Sequence, residues 1–170
     1  FACNTNWCGY GAAASVYSDY QHWDNCTFVG NRCNTANGNV AAGFYNGAQQ
    51  GNSSHRNLLA VDNRNLKNDT LQNFYAWGTG PIAYSAEDGT QLSTDATHNL
   101  RSVTPRFANP AALDYTQRSK AAGRDKGLLL DWMTAEATDI SGVTPRVING
   151  IPDIGAFEYP LVPGMLLMVR

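Results

Sequence analysis

Asn25-Cys26-Thr27-Phe28-Val29-Gly30-Asn31 and Asn57-Leu58-Leu59-Ala60-Val61-Asp62-Asn63 decide how this chain is read. The two heptapeptides match asparagine to asparagine at both ends, and each is an apolar run between turn residues. Cys26 and Phe28, like Leu58 and Ala60, alternate with Thr27 and Leu59, a period of two that turns one strand face inward. A stretch of small residues closing on an aromatic precedes each run: Gly11-Ala12-Ala13-Ala14-Ser15-Val16-Tyr17, then Val40-Ala41-Ala42-Gly43-Phe44-Tyr45. Two short strands per unit, recurring after about 30 residues, suit a solenoid of stacked parallel strands, whereas a sandwich does not require this spacing. Thr70-Leu71-Gln72-Asn73-Phe74-Tyr75-Ala76-Trp77 suggests a third unit.

Working outward, composition agrees. Of 17 asparagines, 14 precede Ala76, and asparagine favours tight turns over helices. Charged residues make up only 15% of the chain, so short polar side chains must cover its surface. A net charge of -2 with no run of Lys or Arg gives nothing to neutralise phosphates, which argues against a nucleic-acid partner. Cys3, Cys8, Cys26 and Cys33 are an even number, consistent with disulfides outside the cytoplasm. Cys3 and Cys8 are close enough to pair locally, leaving Cys26 as a buried thiol or as the partner of Cys33. Neither pair has the two-residue spacing typical of structural zinc, and no metal is expected.

After Gly78 the repeat fades. Pro81 to Leu100 is polar and reads as a connection; Leu128-Leu129-Leu130-Asp131-Trp132-Met133-Thr134-Ala135-Glu136-Ala137 is the one stretch compatible with a short helix. Asp153-Ile154-Gly155-Ala156-Phe157-Glu158-Tyr159 alternates like a closing strand. The apolar end, Leu161 to Arg170, is too short for a transmembrane span of about 20 residues and reads as a terminal strand or the start of an anchoring tail. With no initiating Met, the sequence reads as processed or partial.

The series Thr104-Pro105-Arg106-Phe107-Ala108-Asn109-Pro110-Ala111, Asp114-Tyr115, Ser119, Gly123, Thr144-Pro145-Arg146-Val147-Ile148-Asn149-Gly150 and Asp153 to Tyr159 resembles the C-terminal region of bacterial choice-of-anchor Q proteins. The resemblance runs over roughly residues 9 to 159. It implies a secreted, right-handed parallel β-helix with a pectate-lyase-like fold, located outside the cell or on the bacterial surface, from a longer exported precursor. One departure is Arg118-Ser119-Lys120-Ala121-Ala122-Gly123-Arg124-Asp125, where many relatives read Gly-Ser-Pro-Ala-Ile-Asp-Ala-Gly. The expected organisation is all-β: coils over 1–80, a polar excursion or connection over 81–104, an irregular cap over 105–160 and an apolar tail over 161–170.

Chemistry must be sought in sites, because such folds host lyases, hydrolases, adhesins and fibres alike. Asp62, Arg64, Lys67 and Asp69 form the one cluster with the acids and bases a lyase needs, in a setting that suits a surface turn better. Asp19 and Asp24 are close enough to invite a hydrolase reading but fit solvated turns; Asp153 and Glu158 fit a structural role in the cap. His22, His55 and His98 are scattered, Gly78-Thr79-Gly80 lacks a phosphate-loop setting, and the sequons at Asn25, Asn52 and Asn68 fit chance. Aromatics are the better lead: among Tyr10, Tyr17, Tyr20, Trp23, Tyr45, Tyr75 and Trp77, the rings of Tyr20, Trp23, Tyr75 and Trp77 are candidates to stack on sugars. The expectation is a structural or adhesive surface protein contacting polysaccharide or cell-surface matrix, with no cofactor (Ca2+ being the one candidate) and no complete active site. A polysaccharide-cleaving enzyme is the alternative. Self-association through an open N-terminal coil, as in a fibre subunit, is a further expectation.

Overall fold

The computed structural model describes residues 1–6, 12–36, 38–47, 52–94 and 97–160. Among these the chain is all-β, and a 3-10 turn at Pro110–Ala112 is the one helical element. Strands β1 (Thr5–Asn6), β2 (Ala14–Val16), β3 (His22–Asp24), β4 (Thr27–Val29) and β5 (Arg32–Cys33) come first. The order then repeats as β6 (Phe44–Asn46), β7 (Ser54–Arg56), β8 (Leu59–Val61) and β9 (Arg64–Asn65). A third set follows as β10 (Thr70–Leu71), β11 (Phe74–Ala76), β12 (Ile82–Ala83) and β13 (Ala86–Glu87), and β14 (Phe107–Asn109) with β15 (Asp114–Gln117) closes an antiparallel hairpin.

The sheets are short and mostly parallel. β2, β6 and β11 make one row, β3, β7 and β12 a second, β4, β8 and β13 a third, while β1, β5 and β9 are parallel with β10 antiparallel on β9. The heptapeptides pair in the expected alignment, Thr27 opposite Leu59, Phe28 opposite Ala60 and Val29 opposite Val61. Sharp corners separate the strands, each made by one left-handed residue: Asn25 (φ 54°), Asn57 (φ 56°) and Tyr84 (φ 50°) occupy equivalent places. Asparagine adopts this region at little cost, which is why it recurs there.

Buried amides bind the rows together. Asn4 Nδ2 donates to Asn31 Oδ1 at 2.8 Å, Asn31 Nδ2 to Asn63 Oδ1 at 2.7 Å and Asn63 Nδ2 to Asn73 Oδ1 at 2.9 Å. The ladder ends where Asn73 Nδ2 donates to the Asp88 carboxylate at 2.8 Å, an acceptor with no donor to pass on. A second ladder runs the other way, Asn57 Nδ2 donating to Asn25 Oδ1 at 2.9 Å. Buried polar groups need such partners, and each neutral bond contributes about 1 kcal/mol net.

Phe28, Phe44, Leu58, Ala60, Phe74 and Ile82 form the interior, with Phe28 and Phe44 ring centroids 5.6 Å apart. The opposite face of the third row, Val29, Leu59, Val61 and Ala86, is covered by Tyr115 and Ile154 from the C-terminal segment. Both faces of β4 and β8 are therefore buried, which explains heptapeptides apolar at nearly every position. Gly155 allows the contact: at φ 107°, a Cβ there would lie 2.7 Å from Thr27 Oγ1.

Three expectations are corrected. β12 and β13 lie inside the stretch read as a connection; Ile82 points inward, Ala86 lies on the outer face beneath the C-terminal segment, and buried Glu87, which accepts from the Leu92 N–H, hides the apolar alternation. Leu128 to Ala137 is a chain of turns without a helix, because Asn57 captures both backbone groups of Leu128. Asp153 to Tyr159 is not a strand: the N–H groups of Asp153, Glu158 and Tyr159 donate to the side chains of Glu158, Asp139 and Asp153. Residues 1–6 cover part of the first edge, Ala2 bridging Val29, while β2 and β3 are paired on one side among the described residues. The tail 161–170 lies outside the described residues.

Candidate functional site

Parallel pairing places Arg32 of β5 beside Arg64 of β9, and the left-handed corner at Asp62 (φ 51°) projects a carboxylate between them. Arg32 Nη2 lies 2.8 Å from Asp62 Oδ2 and Arg64 Nε 2.7 Å from Asp62 Oδ1; Arg64 Nη1 also reaches Asp69 Oδ1 at 3.1 Å. Partial burial pushes the Asp62 pKa up, but the hydrogen bonds from Arg64 and Arg32 outweigh it and hold the carboxyl below its ordinary range. Asp62 N–H donates to Asp88, tying this row to the end of the amide ladder. Three of the four expected residues thus meet, and Lys67 stands apart, exposed and held by its backbone N–H on Asn65. Arg32 and Asp88 complete the group; aligning Asn31-Arg32 with Asn63-Arg64 is the signal that finds Arg32. Both Asp62 oxygens are engaged by guanidinium groups, the arrangement of a surface ion-pair row. Among the described residues no group of three or more His, Cys, Asp or Glu side chains is placed to hold a metal ion.

The aromatics divide. Trp23 is partly buried against the interior, its ring 5.8 Å from Phe1 and 5.5 Å from Phe44 by centroids, so its contacts are those of core packing. Tyr75 is half-buried and stacks on Tyr45 at 5.5 Å with planes 9° apart, and Tyr17 tilts over Tyr45 at 5.3 Å. Tyr20 and Trp77 are 76% and 63% exposed. Val16, Asn46 and Ala76 are register partners, so Tyr17 and Trp77 occupy equivalent places two strands apart, with Gly47 between them.

The C-terminal segment holds a buried charge cluster. Arg146 and Glu158 side chains are 1% exposed each, with Nη1 3.1 Å from Oε1. Arg146 Nη2 donates to Asn25 Oδ1 and to the Asp153 carbonyl, both at 2.7 Å, joining the segment to the corner between β3 and β4. Asp139 and Asp153 are also buried, so three carboxylates share one guanidinium. Burial, with the Asp153 charge, pushes the Glu158 pKa up to about 8 although Arg146 pulls it down. The expected structural role of Asp153 and Glu158 matches their hydrogen bonds to backbone N–H groups.

Cys3, Cys26 and Cys33 are free thiols, so the Cys26–Cys33 bond is not formed and Cys26 is the partly buried thiol of the other expectation. Cys8, its expected partner Cys3 notwithstanding, lies outside the described residues, as does Tyr10. Burial pushes the Cys26 thiol up to about 11. Cys26 also borders an apolar cavity of about 260 Å3 between the first residues and the C-terminal segment, lined among others by Phe1, Leu113, Tyr115, Ile140 and Phe157. Among the described residues no helix is long and apolar enough to cross a membrane. No family model, curated protein or solved structure matches the chain.

Proposed function

We propose that this chain is part of an extracellular or cell-surface right-handed parallel β-helix with a structural and adhesive role that includes contact with glycans. The observation that carries this reading is the row structure: like residues stack on like across successive strands, Asn on Asn, Phe on Phe, Tyr on Tyr and Arg on Arg. Such stacking suits a stiff body whose stability grows by nearest-neighbour addition, and a stiff body suits display. Low charge and exposed Tyr17, Tyr20 and Trp77 suit contact with neutral or weakly charged polymers. The ion-pair row around Asp62 supports a structural over a lyase role, since a base needs an oxygen free of strong donors.

Two measurements test it. Biotinylation of intact source cells with a membrane-impermeant reagent is expected to label the protein, and a purely intracellular pool would refute the location. Incubation with a panel of neutral and acidic polysaccharides is expected to release no new unsaturated or reducing ends. Release abolished by Asp62→Ala or Asp69→Ala would replace the structural role with a lyase.

A further inference from the structure

The turns at 127–133 are fastened to β7 beside an ion pair that the strand rows themselves create. Asn57 clamps Leu128 reciprocally, Nδ2 donating to its carbonyl at 2.8 Å and Oδ1 accepting from its N–H at 2.7 Å. At the near end Gly127 sits so tightly that a Cβ would lie 2.8 Å from the Pro152 carbonyl oxygen. At the far end the Met133 N–H donates to the Leu130 carbonyl, and both of these side chains are buried. The loop is anchored at both ends, yet Trp132 remains 48% exposed. Between loop and strand lies a cavity of about 330 Å3 lined by Arg56, Leu128, Leu129, Leu130, Asp131 and Trp132.

Arg56 is held flat by its strand neighbour: Nε donates to Asp24 Oδ1 at 2.9 Å and Nη2 to Asp24 Oδ2 at 3.0 Å. That fork leaves Nη1 without a hydrogen bond among the described residues. One rigid donor, one exposed carboxylate at Asp131 and one indole thus border the same small space. This is the usual composition of a ligand pocket, an apolar lining with a few convergent polar groups.

The charges select the ligand. Asp24 already balances Arg56, and Asp131 adds a second carboxylate, so an acidic sugar or a phosphate meets net negative charge. A cationic side chain can donate to Asp131 but has no acceptor to offer Arg56 Nη1. A neutral molecule with adjacent hydroxyls satisfies both polar groups, one oxygen accepting from Arg56 Nη1 and one hydroxyl donating to Asp131, while its C–H face lies on the indole. We propose that this cavity binds a sugar unit of a neutral glycan, with Trp132 as the stacking surface, Arg56 Nη1 as donor and Asp131 as acceptor. The assignment rests on the glycan-contacting reading above and moves the principal contact from exposed Tyr17, Tyr20 and Trp77 to the C-terminal segment.

Isothermal titration of the whole chain with gluco-, manno- and galacto-configured neutral oligosaccharides, with oligogalacturonate as the acidic comparison, tests the assignment. At least one neutral series is expected to bind and oligogalacturonate not to. Trp132→Ala is expected to weaken binding at least about tenfold, Asp131→Asn by about three- to tenfold, and Trp132→Tyr to keep most of it. Melting temperatures show whether each variant is folded; should Trp132→Ala fail to fold, Asp131→Asn and Trp132→Tyr decide. Preference for oligogalacturonate, no binding of any neutral series, or unweakened binding by folded Trp132→Ala or Asp131→Asn would overturn the site. Binding lost in Trp77→Ala and Tyr20→Ala but kept in Trp132→Ala would overturn it while leaving the glycan-contacting reading intact. Binding that depends on Trp132 in a protein that surface labelling places inside cells would uphold the site and refute the surface role.

Discussion

Replacing His55 with leucine is expected to stabilise the protein and to flatten its response to acid. His55 is the central residue of β7, 0% exposed, with neither ring nitrogen hydrogen-bonded among the described residues. Its main contact is an edge-on approach to Phe44, centroids 4.9 Å apart. Burial first, then His22 and Arg56, lower its pKa from 6.5 to about 4. The native ring thus stays neutral where the unfolded chain takes up a proton. Unfolding therefore binds protons between pH 6.5 and about 4, and stability present above 6.5 is lost as the pH falls through that window. A gap of about 2.5 units at about 1.4 kcal/mol per unit makes the full loss about 3 kcal/mol. Leucine is close to histidine in volume and removes buried polar atoms that cost about 1–3 kcal/mol, against about 1 kcal/mol for the lost ring contact. The net expectation at pH 7 is a gain of about 1 kcal/mol, with most of the loss between pH 6.5 and 4 removed. Urea unfolding followed by circular dichroism at pH 7, 5.5 and 4.5 measures both effects. Destabilisation of His55→Leu by more than about 1 kcal/mol at pH 7, with an unchanged acid slope, would mean that the ring is hydrogen-bonded and the reasoning is wrong.

Asn63→Ala is expected to cost about 3 kcal/mol or more in the same unfolding assay, because it strands the Asn31 amide and the Phe28 carbonyl and breaks the ladder to Asn73. Glu158 binds a proton more tightly when folded, so its contribution is present below pH 4.5 and lost as the pH rises through about 8. Glu158→Gln should accordingly flatten the decline of stability across that interval in thermal melts from pH 5 to 9; an unchanged decline would refute the assignment. In native protein at pH 8, iodoacetamide should label Cys3 far faster than Cys26, whose burial holds it as a thiol, as read by peptide mass mapping. Gly155→Ala is expected to destabilise by about 2 kcal/mol or more, through both its left-handed backbone and the contact with Thr27, measured by urea unfolding.

Register between the first two sets of strands was legible because the asparagines bounding the heptapeptides stack on one another, so that sequence alignment and spatial pairing coincide. The inward face was legible too, since Phe28 and Ala60 follow the period of two. The outward face was not, because what covers Leu59 and Val61 comes from Tyr115 and Ile154, far along the chain and unrelated to any local pattern. The same distance hid Arg146, whose partner Asn25 is 121 residues away. Of the acidic and basic cluster, Asp62, Arg64 and Asp69 could be read because they share one corner, whereas Arg32 enters from the neighbouring strand. Trp132 was passed over as part of a helix; the reciprocal clamp of Asn57 on Leu128, which prevents that helix, leaves no mark near Trp132 in the sequence.

The pairs Asp24 with Arg56, Asn25 with Asn57 and Asn31 with Asn63 all join residues 32 positions apart. A gene encoding this chain therefore has a natural step size. Tandem duplication of codons 25 to 56 presents each asparagine of these pairs with another asparagine, so unequal recombination can lengthen the amide ladders in whole steps, whereas the second copy of Arg56 falls over the first and not over Asp24. A single inserted codon within 25–31 or 57–63 shifts several buried amides out of reach of their partners at once. Length in this stretch should accordingly change by copy number, and small insertions and deletions should be confined to the connections between strands.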